Sequence, residues 1–341
     1  HAPPHARFAP RGKGRHNRAM PPVVTQTPLT PDSLAALGPR WDAFAATCGA
    51  SFFQRWTWMG AIPFPHPVLI EATESGQTVG LALAGRRGPL HLSQTGDPVL
   101  DGVFIEHNGP LFAPGRADVC RAMLRAMRPV VLPGVLDAVL QAARGVGRVS
   151  HLQTRLAPVC DLTRPAPHSR NMRQRLARSA RDYGPLRVER APDANAALGA
   201  FELLVDAHTK TWRARGQPGA FHAPGVLAFH HAVIARGVPE GTVDLLSISA
   251  AGAAIGHLYN FRQGATVHTY QSAFAYDSAT AMQRPGLSSH IAAMAWYAVQ
   301  GVTRYDFMAG DSQYKRSLST GSEPLHWLQL RTPWDPRGWF K

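Results

Sequence analysis

The sequence predicts a mixed α/β (α+β) protein with two units in tandem, each a mostly antiparallel twisted sheet flanked by helices. Segments with helical spacing of apolar residues alternate with short segments rich in β-branched and aromatic residues. Residues 243–272 contain three such short segments, joined by Ala251-Gly252 and Gln263-Gly264, and short turns of this kind indicate an antiparallel meander. The first half has a looser version of the same strand-rich order. A chain of 341 residues, 45% of them hydrophobic, is long enough for two domains or one large one.

The chain divides by composition into an arm and two folded units. Residues 1–22 are predicted to be a flexible basic arm, because the first nineteen contain Pro, Gly, His and Arg but no acid. The first unit is expected over residues 23–162 and the second over residues 163–341, with a Pro-containing linker at 163–168.

In the first unit, apolar residues from Leu34 to Phe44 recur at helical spacing and predict a helix over residues 31–47. The aromatic-rich segment 52–59 is interpreted as core packing. Residues 103–110 are predicted as a strand that runs into a turn. The other predicted elements are helices over 116–127 and 133–144, and strands over 68–73, 78–84, 91–93 and 149–154.

The second unit opens with a predicted basic helix over residues 170–184, with Gly184 in the C-cap position. Its arginines, among them Arg170, Arg173 and Arg181, either face phosphates or form a solvated helix face. The remaining predicted elements are helices over 195–215, 224–235 and 287–300, and strands over 186–189, 243–249, 254–262, 266–272, 302–308 and 325–331.

The segment from Thr266 to Lys315 reads as strand, glycine-bearing loop, helix and strand. The N-terminus of a helix exposes free backbone N–H groups and a partial positive charge, which suit a phosphate or pyrophosphate. The predicted phosphate-binding residues are therefore those at the start of this helix: Gln283, Arg284, Gly286, Leu287 and Ser288. A plain Pro-Gly turn is the alternative.

The chain carries a formal net charge of +14. This charge favours anionic partners such as the phosphates of coenzyme A, a nucleic acid or an acidic membrane surface. A general bias toward arginine is the alternative. No apolar segment is long enough to span a membrane, and the first twenty residues lack the apolar region of a signal peptide. We therefore expect a cytoplasmic protein, with peripheral membrane contact through the basic arm as an alternative.

No metal site is expected, because neither the three cysteines nor the adjacent pair His230-His231 has the spacing of metal ligands. No nucleophilic Cys or Ser motif is visible either, which favours chemistry without a covalent enzyme intermediate.

A set of motifs in the second half, taken together, resembles one branch of the GNAT superfamily, the acetyltransferase-like group associated with cellulose-biosynthesis loci and related to the Fem-type aminoacyltransferases. The motifs are Asn171-x-Arg173-x-Arg175-Leu176, His208-x3-Trp212-x2-Arg215-Gly216, Ile255-Gly256-x2-Tyr259, Tyr270-Gln271-Ser272, Pro285-Gly286 and Tyr305-Asp306-Phe307-x2-Gly310-Asp311-x2-Tyr314-Lys315. Residues 52–58 and 93–110 resemble the first, degenerate half of the same proteins.

The resemblance implies two GNAT-like folds in tandem, the second carrying the transfer chemistry. It implies an acyl-CoA donor, acetyl-CoA or longer, and an amine acceptor that is a small molecule or a peptide. In Fem-type relatives the donor is instead an aminoacyl-tRNA, so tRNA is the alternative partner. The loop Gln283–Ser288 keeps the first glycine of the usual pyrophosphate loop but has Ser at the last position. A non-catalytic scaffold in a polysaccharide-synthesis complex is a third hypothesis.

Direct acyl transfer needs a held donor, a deprotonated amine and a stabilised oxyanion. Lys315 matches a lysine implicated in transfer in Fem-type relatives and is predicted to stabilise the negative charge. Asp311 would orient the amine or act as base, and its alternative is a turn-capping residue. Tyr270 or Tyr314 would give a proton to the departing thiolate, and His268 is a further candidate base.

Four more residues are predicted to contact substrate: Gln271, Glu106, Trp212 and Arg215. Gln271 neighbours Tyr270 on a predicted strand, where side chains alternate, so only one of the two is expected to face the cleft. Glu106 is the candidate from the first half. For each of these a core or surface role is the alternative.

Overall fold

The computed structural model describes residues 21–103, 105–164, 170–275, 284–310 and 312–333, without the side chains of residues 170–172 and 176. Only residues 21 and 22 of the predicted basic arm are among the described residues. Gln283 and Asp311 lie outside them. None of the helices in the described part of the chain is long and apolar enough to cross a membrane.

The first half contains seven strands and five helices in its described residues. The strands are β1 (Val23–Pro28), β2 (Pro67–Glu74), β3 (Gln77–Arg86), β4 (Leu90–Leu92), β5 (Leu111–Phe112), β6 (Val130–Leu136) and β7 (Arg148–Asp161). The helices are α1 (Pro31–Ala36), α2 (Gly38–Thr47), α3 (Trp56–Met59), α4 (Ala117–Met127) and α5 (Asp137–Arg144), with a 3-10 turn at Phe52–Gln54.

The second half contributes the remaining described elements. Its helices are α6 (Arg170–Tyr183), α7 (Ala194–Arg213), α8 (Val226–Gly237), α9 (Pro285–Val299) and α10 (Gln313–Leu318). Its strands are β8 (Leu186–Arg190), β9 (Val243–Ala250), β10 (Ala253–Gln263), β11 (Thr266–Phe274), β12 (Arg304–Asp306) and β13 (Gly321–Arg331).

The thirteen strands of the described residues form one sheet in the order β1-β2-β3-β4-β6-β13-β7-β12-β11-β10-β9-β8, with β5 paired to β3. Neighbours pair antiparallel except for β4 with β6 and β11 with β12. The predicted mixed α/β class with a mostly antiparallel sheet is confirmed. The C-terminal strand β13 lies between β6 and β7, so the sheet is continuous across the predicted boundary at residue 163. The tandem arrangement and the domain limits stay predictions.

An aromatic cluster joins the two halves in the core. The Phe52 ring stacks on Phe261 of β10, with centroids 4.1 Å apart and planes 11° from parallel. Trp58 packs edge-on against Phe229 of α8 and against Phe261. All four side chains are buried. The interpretation of residues 52–59 as core packing is confirmed, and the core that they fill is shared by both halves.

The prediction of a helix over residues 133–144 was wrong at its start. Residues Val130–Leu136 form β6, which pairs with β13, and the helix begins at Asp137. Sequence spacing does not show this, because the partner strand lies near the other end of the chain. The predicted helix over 31–47 is likewise two helices, and Gly38 and Pro39 begin the second.

The prediction of a strand at residues 103–110 was also wrong. Among its described residues, Asn108 makes one isolated bridge to Val135, and His107 has a left-handed φ of 49°, outside the β region. The buried Asn108 side chain holds the loop by donating to the Pro133 carbonyl (3.1 Å) and accepting from Ser93 Oγ (2.9 Å). The loop is therefore fixed by side-chain hydrogen bonds rather than by sheet pairing, and it carries Glu106.

Candidate active site

A cavity opens where the parallel strands β11 and β12 separate. The two strands pair only over Thr266–His268 and Arg304–Asp306, and β11 then continues to Phe274 with β10 as its partner but without β12 on its other edge. The cavity has a volume of about 640 Å³. It is lined by β11, by the segment after β12, by the end of α7, by α10 and by Glu106 of the first half. Both halves of the chain therefore contribute to this site.

Glu106 is a buried carboxyl group at the cavity, only 5% exposed. Its Oε2 accepts a hydrogen bond from the Ala309 backbone N–H at 2.8 Å. Burial raises the pKa of Glu106 to about 7, although the Ala309 hydrogen bond and the positive charges of His107 and Lys315 oppose the shift. This carboxyl group can therefore gain and lose a proton near neutral pH.

Lys315 lies close to Glu106 in the same cavity wall. Its Nζ donates to the carbonyl oxygens of Met308 (3.1 Å) and Ala309 (3.2 Å). Burial lowers the pKa of Lys315, while the charges of Glu106 and Asp306 act in the opposite direction. The Ala309 peptide group thus contacts both side chains, since its N–H binds Glu106 and its carbonyl binds Lys315. The lysine is a fixed donor inside the cavity rather than a solvated surface group.

Asp306 organises a buried cluster beneath Glu106 and Lys315. His107 Nε2 lies 3.1 Å and His268 Nδ1 3.8 Å from Asp306 Oδ2, and Met308 N donates to Oδ1 at 2.7 Å. Burial alone would raise the pKa of Asp306, but the interactions with His107 and His268 hold it below its ordinary value. His107 comes from the first half, so this cluster fixes the loop of Glu106 to β12.

His268, a predicted base, contacts Asp306 and is not among the described residues that line the cavity. Burial lowers the pKa of His268 to about 4, although the charge of Asp306 opposes this, so its imidazole is neutral at pH 7. Its role as a base stays a prediction, and the structure places it one layer behind the cavity wall.

Among the described residues, the side chains of His107, His268 and Asp306 form the group that could hold a metal ion. Ligand atoms of His107, His268 and Asp306 all lie within 4.8 Å of one another. No local sequence pattern indicates this cluster, because its members are far apart in the chain. Arg304 Nη2 also lies 3.4 Å from Asp306 Oδ2 and supplies a positive charge there. We interpret the cluster as an ion-pair network that connects the halves.

Most of the predicted substrate and catalytic residues line the cavity together. Tyr270 and Gln271 both do so, but every residue from Thr269 to Phe274 lines the cavity, so the expectation that only one of the two side chains faces it stays a prediction. The pairing of β11 with β10 shifts register at this point: Gln271 faces Tyr259 and Thr269 faces Asn260, which leaves Tyr270 as the extra residue of a β-bulge. The bulge breaks strict alternation. The other predicted residues at the cavity are Lys315, Tyr314, Glu106, Trp212 and Arg215.

The predicted phosphate site lies at the start of α9, beside the cavity. Arg284 is exposed and has a left-handed φ of 55°, and Leu287 N donates to its carbonyl at 3.1 Å. Gly286, Leu287 and Ser288 are buried, and Ser288 Oγ hydrogen-bonds to Ser179 Oγ of the basic helix α6. None of these described residues lines the cavity. Phosphate binding here stays a prediction.

Two cavity residues had no signal in the sequence. One is His290, which lies one turn into α9. Its Nδ1 forms a hydrogen bond with Tyr305 Oη at 3.1 Å, and its ring stacks on that of Tyr314 with centroids 5.4 Å apart. Burial lowers the pKa of His290 to about 3. Arg155 lies on β7, one residue past the predicted end of that strand at residue 154. Only the pairing of β7 with β13 extends the strand to include it.

Comparison with known proteins agrees with this geometry. Residues 167–316 match the model of the acetyltransferase (GNAT) domain family, and a search of curated proteins found no match. FemX has a similar structure, with a TM-score of 0.57 and 10% identity over 89% of this chain and 96% of FemX. So does the C-terminal domain of a protein assigned as a lysylphosphatidylglycerol synthetase from Agrobacterium fabrum, with a TM-score of 0.56 and 13% identity over 88% of this chain and 92% of that domain.

The structure of L-PGS from Bacillus licheniformis is a third similar fold, with a TM-score of 0.56 and 12% identity over 91% of this chain and 94% of that one. The family match covers somewhat less than half of the chain, and it identifies residues 167–316 as similar to an acetyltransferase (GNAT) domain. The fold of the whole chain is similar to that of FemX over almost the full length of FemX. At these identities the solved structures indicate the fold alone.

Proposed function

We propose that the protein is an N-acyltransferase that moves an acyl group from acyl-CoA to an amine by direct attack, without a covalent enzyme intermediate. The observation that carries the proposal is that the buried Glu106 and the partly buried Lys315 line the same cavity between β11 and β12. One member can accept a proton near neutral pH and the other can donate hydrogen bonds to a developing oxyanion.

The donor is assigned to the gap between the strands. Beyond His268, one edge of β11 is not paired by β12, so backbone N–H and C=O groups of this edge can bind the amide groups of a pantetheine arm. Arg284 and the first turn of α9 would bind the phosphates. The geometry of the gap and the match of residues 167–316 to the acetyltransferase domain support this part of the proposal.

The reaction then runs in two steps. The acceptor enters as an ammonium ion, and the Glu106 carboxylate takes one proton from it. The free amine attacks the thioester carbonyl, and Lys315 Nζ stabilises the oxyanion with a hydrogen bond. The attacking nitrogen loses its second proton to solvent, and collapse of the tetrahedral intermediate breaks the C–S bond. The thiolate takes a proton from Tyr314 or Tyr270, which regains it from solvent, and Glu106 returns its proton to solvent. The amide keeps the acyl group, and free CoA leaves.

Release of free CoA thiol with a panel of amines and acyl-CoAs tests the proposal, together with calorimetry of acyl-CoA binding. Lys315→Met is expected to lower kcat by about 10²- to 10³-fold with little change in KM, because an oxyanion donor acts mainly in the transition state. Lys210→Met, at an exposed lysine on α7, is the matched control and is expected to keep full activity. Absence of binding to every acyl-CoA would contradict the proposal.

An aminoacyl-tRNA donor is the second candidate, favoured by the resemblance of the motifs to those of Fem-type aminoacyltransferases and by the exposed arginines Arg173, Arg178 and Arg181 of α6. If tRNA is the donor, its binding should weaken steeply as salt rises, because phosphate contacts release counterions. Filter binding of charged tRNA at several salt concentrations measures this. Absent or salt-insensitive binding would count against the tRNA donor.

A further inference from the structure

Two arginines at the cavity have no role in the proposed chemistry of transfer. Arg155 lies on β7 and Arg215 just beyond the end of α7, and both line the cavity. Each guanidinium group lies over an indole ring: Arg155 Cζ is 5.0 Å from the centroid of Trp327, and Arg215 Cζ is 5.7 Å from that of Trp212. Stacking of this kind fixes the guanidinium plane while its edge N–H groups stay available to a ligand.

Neither guanidinium group forms an ion pair with a carboxylate of the described residues. Arg155 Nη2 donates to a neutral partner, Gln153 Oε1, at 3.1 Å. Arginines elsewhere in the fold differ in this respect. Arg116 binds Glu74 and Asp118, and Arg304 lies 2.8 Å from Glu323. The positive charges of Arg155 and Arg215 are therefore not neutralised within the described part of the chain.

The balance of charge in the cavity points the same way. Among the described residues that line it, the cations are Lys315, Arg155 and Arg215, and the one carboxylate is Glu106. The charges of Glu106 and Lys315 interact and offset each other, which leaves the two exposed arginines in excess. A concave site with an excess of positive charge attracts anions, and arginine forks match carboxylates and phosphates in geometry.

We infer that Arg155 and Arg215 form a binding subsite for an anionic group of the acceptor, a carboxylate or a phosphate. The acceptor is then a molecule with an amine at one end, directed to Glu106, and an oxyanion at the other. Assigning the anion to the acceptor rests on the proposed function, because the donor phosphates are placed at Arg284 and α9, outside the cavity lining. The anion subsite itself rests on the geometry of the two arginine–tryptophan pairs.

Fluorine NMR of the full chain labelled with 5-fluorotryptophan tests the subsite without any turnover. Trp212→Phe and Trp327→Phe assign the two resonances, and inorganic phosphate or succinate is added at constant ionic strength. We expect both resonances to shift and saturate, with one anion binding more tightly than the other and so distinguishing phosphate from carboxylate. Arg155→Gln and Arg215→Gln should each weaken binding about tenfold or more.

Arg187→Gln is the matched control, because Arg187 is an exposed arginine on β8 that pairs with Glu189. It should leave the anion affinity unchanged. Shifts that grow without saturation, or equal losses in all three arginine variants, would overturn the subsite and leave only general attraction to a basic protein.

Matched amines then test whether the anion belongs to the acceptor. β-Alanine is compared with propylamine, and O-phosphoethanolamine with ethanolamine, in the CoA-release assay. We expect at least a tenfold higher kcat/KM for one anionic amine over its neutral partner, lost in Arg155→Gln and Arg215→Gln through a higher KM. Equal use of both members of each pair overturns this assignment. If no amine is acylated while the fluorine resonances still saturate, the subsite holds and the acyl-transfer proposal fails.

Discussion

At the scale of single residues, the chemistry of the site depends on what burial does to Glu106 and Lys315. A carboxyl group in water is fully ionised at pH 7 and is a weak base, but burial raises the pKa of Glu106 to about 7. A base with a pKa near the working pH is the most effective proton acceptor. The loop that holds it uses a left-handed His107 (φ 49°), which is a strained conformation for a residue with a side chain.

The pH dependence of transfer tests this residue. If the ionised Glu106 is the base, kcat/KM should rise through a pKa of about 7 and level off above it. Glu106→Gln should lower kcat about 10²-fold or more and abolish this limb, since a carboxamide cannot take the proton. Glu202→Gln, at an exposed glutamate of α7, should keep the wild-type profile.

The pH dependence of folding stability is a second test of the raised pKa of Glu106. The folded-state pKa of Glu106 is raised above its ordinary 4.5, so the stability that the protonated group contributes is lost as the pH rises through about 7. Glu106→Gln should therefore gain stability over wild type between pH 6 and pH 8 in urea unfolding. A wild-type activity profile that is flat from pH 6 to pH 8, with no such gain, would contradict the assignment.

Asp306 is expected to matter for stability more than its size suggests. Asp306→Asn removes the charge that binds His107 and Arg304 inside the fold, and breaking a buried ion pair costs about 3 kcal/mol. Urea unfolding at pH 7 measures the loss. Because the pKa of Asp306 is held below its ordinary 3.8, the difference between variant and wild type is present above that pH and shrinks below it.

The exposed Asp137 supplies the comparison for this variant. Asp137→Asn should change the free energy of unfolding by less than about 1 kcal/mol, because the Asp137 carboxylate is exposed to water although its partner His326 is buried. Equal losses in the two variants would show that the buried cluster does not connect the halves in the way described.

At the scale of elements, the approach of α9 to β10 depends on one glycine. A Cβ atom on Gly256 would lie 2.5 Å from Ser289 Oγ, in the first turn of α9. Gly256→Val is therefore expected to push this turn away, to destabilise the fold by about 1–3 kcal/mol and to weaken acyl-CoA binding. Thermal unfolding and calorimetry measure the two effects.

Gly199 is a suitable control because it lies inside α7, where an added Cβ atom would meet nothing within 4 Å. Gly199→Ala should stabilise the fold by about 0.5–1 kcal/mol, since alanine is the better helix former. If Gly256→Val left acyl-CoA affinity unchanged while lowering stability, the first turn of α9 would not be part of the donor site.

Element boundaries show where local sequence was sufficient. The helix α7, the meander of β9, β10 and β11, and the helix α9 follow their predicted spans within a few residues, because each has a clear local period and short turns. The strand β6 was missed, and β7 was predicted too short. Both are stabilised by pairing with β13, a partner more than one hundred residues away in the chain.

At the scale of the whole molecule, the sheet joins the two halves into one body. The strand β13 inserts between β6 and β7, with Leu325, Leu328 and Leu330 buried. The aromatic cluster around Phe52, Trp58 and Phe261 adds a shared core. Neither half can keep its central pairing or its core without the other.

We therefore expect one cooperative unfolding transition for the full chain. Urea curves followed by near-ultraviolet circular dichroism and by tryptophan fluorescence should coincide, and residues 21–162 expressed alone should lack a cooperative transition. The reason is that this segment loses both β13 and its aromatic partners in β10 and α8. Two well-separated transitions in the full chain would contradict this expectation.

The sequence by itself determined the class of fold and the position of the second-half elements, which follow from periodicity and turn residues. It also indicated seven of the described residues at the cavity, among them Lys315, Tyr270 and Trp212, which belong to the motifs that resemble the acetyltransferase-like and Fem-type proteins. Only the tertiary structure decided that Glu106 lies beside Lys315, that His107 and His268 meet at Asp306, and that Arg155 joins Arg215 at the same cavity. Those contacts come from strand pairing across the chain and from a β-bulge, and the pKa of Glu106 follows from burial, which no local pattern encodes.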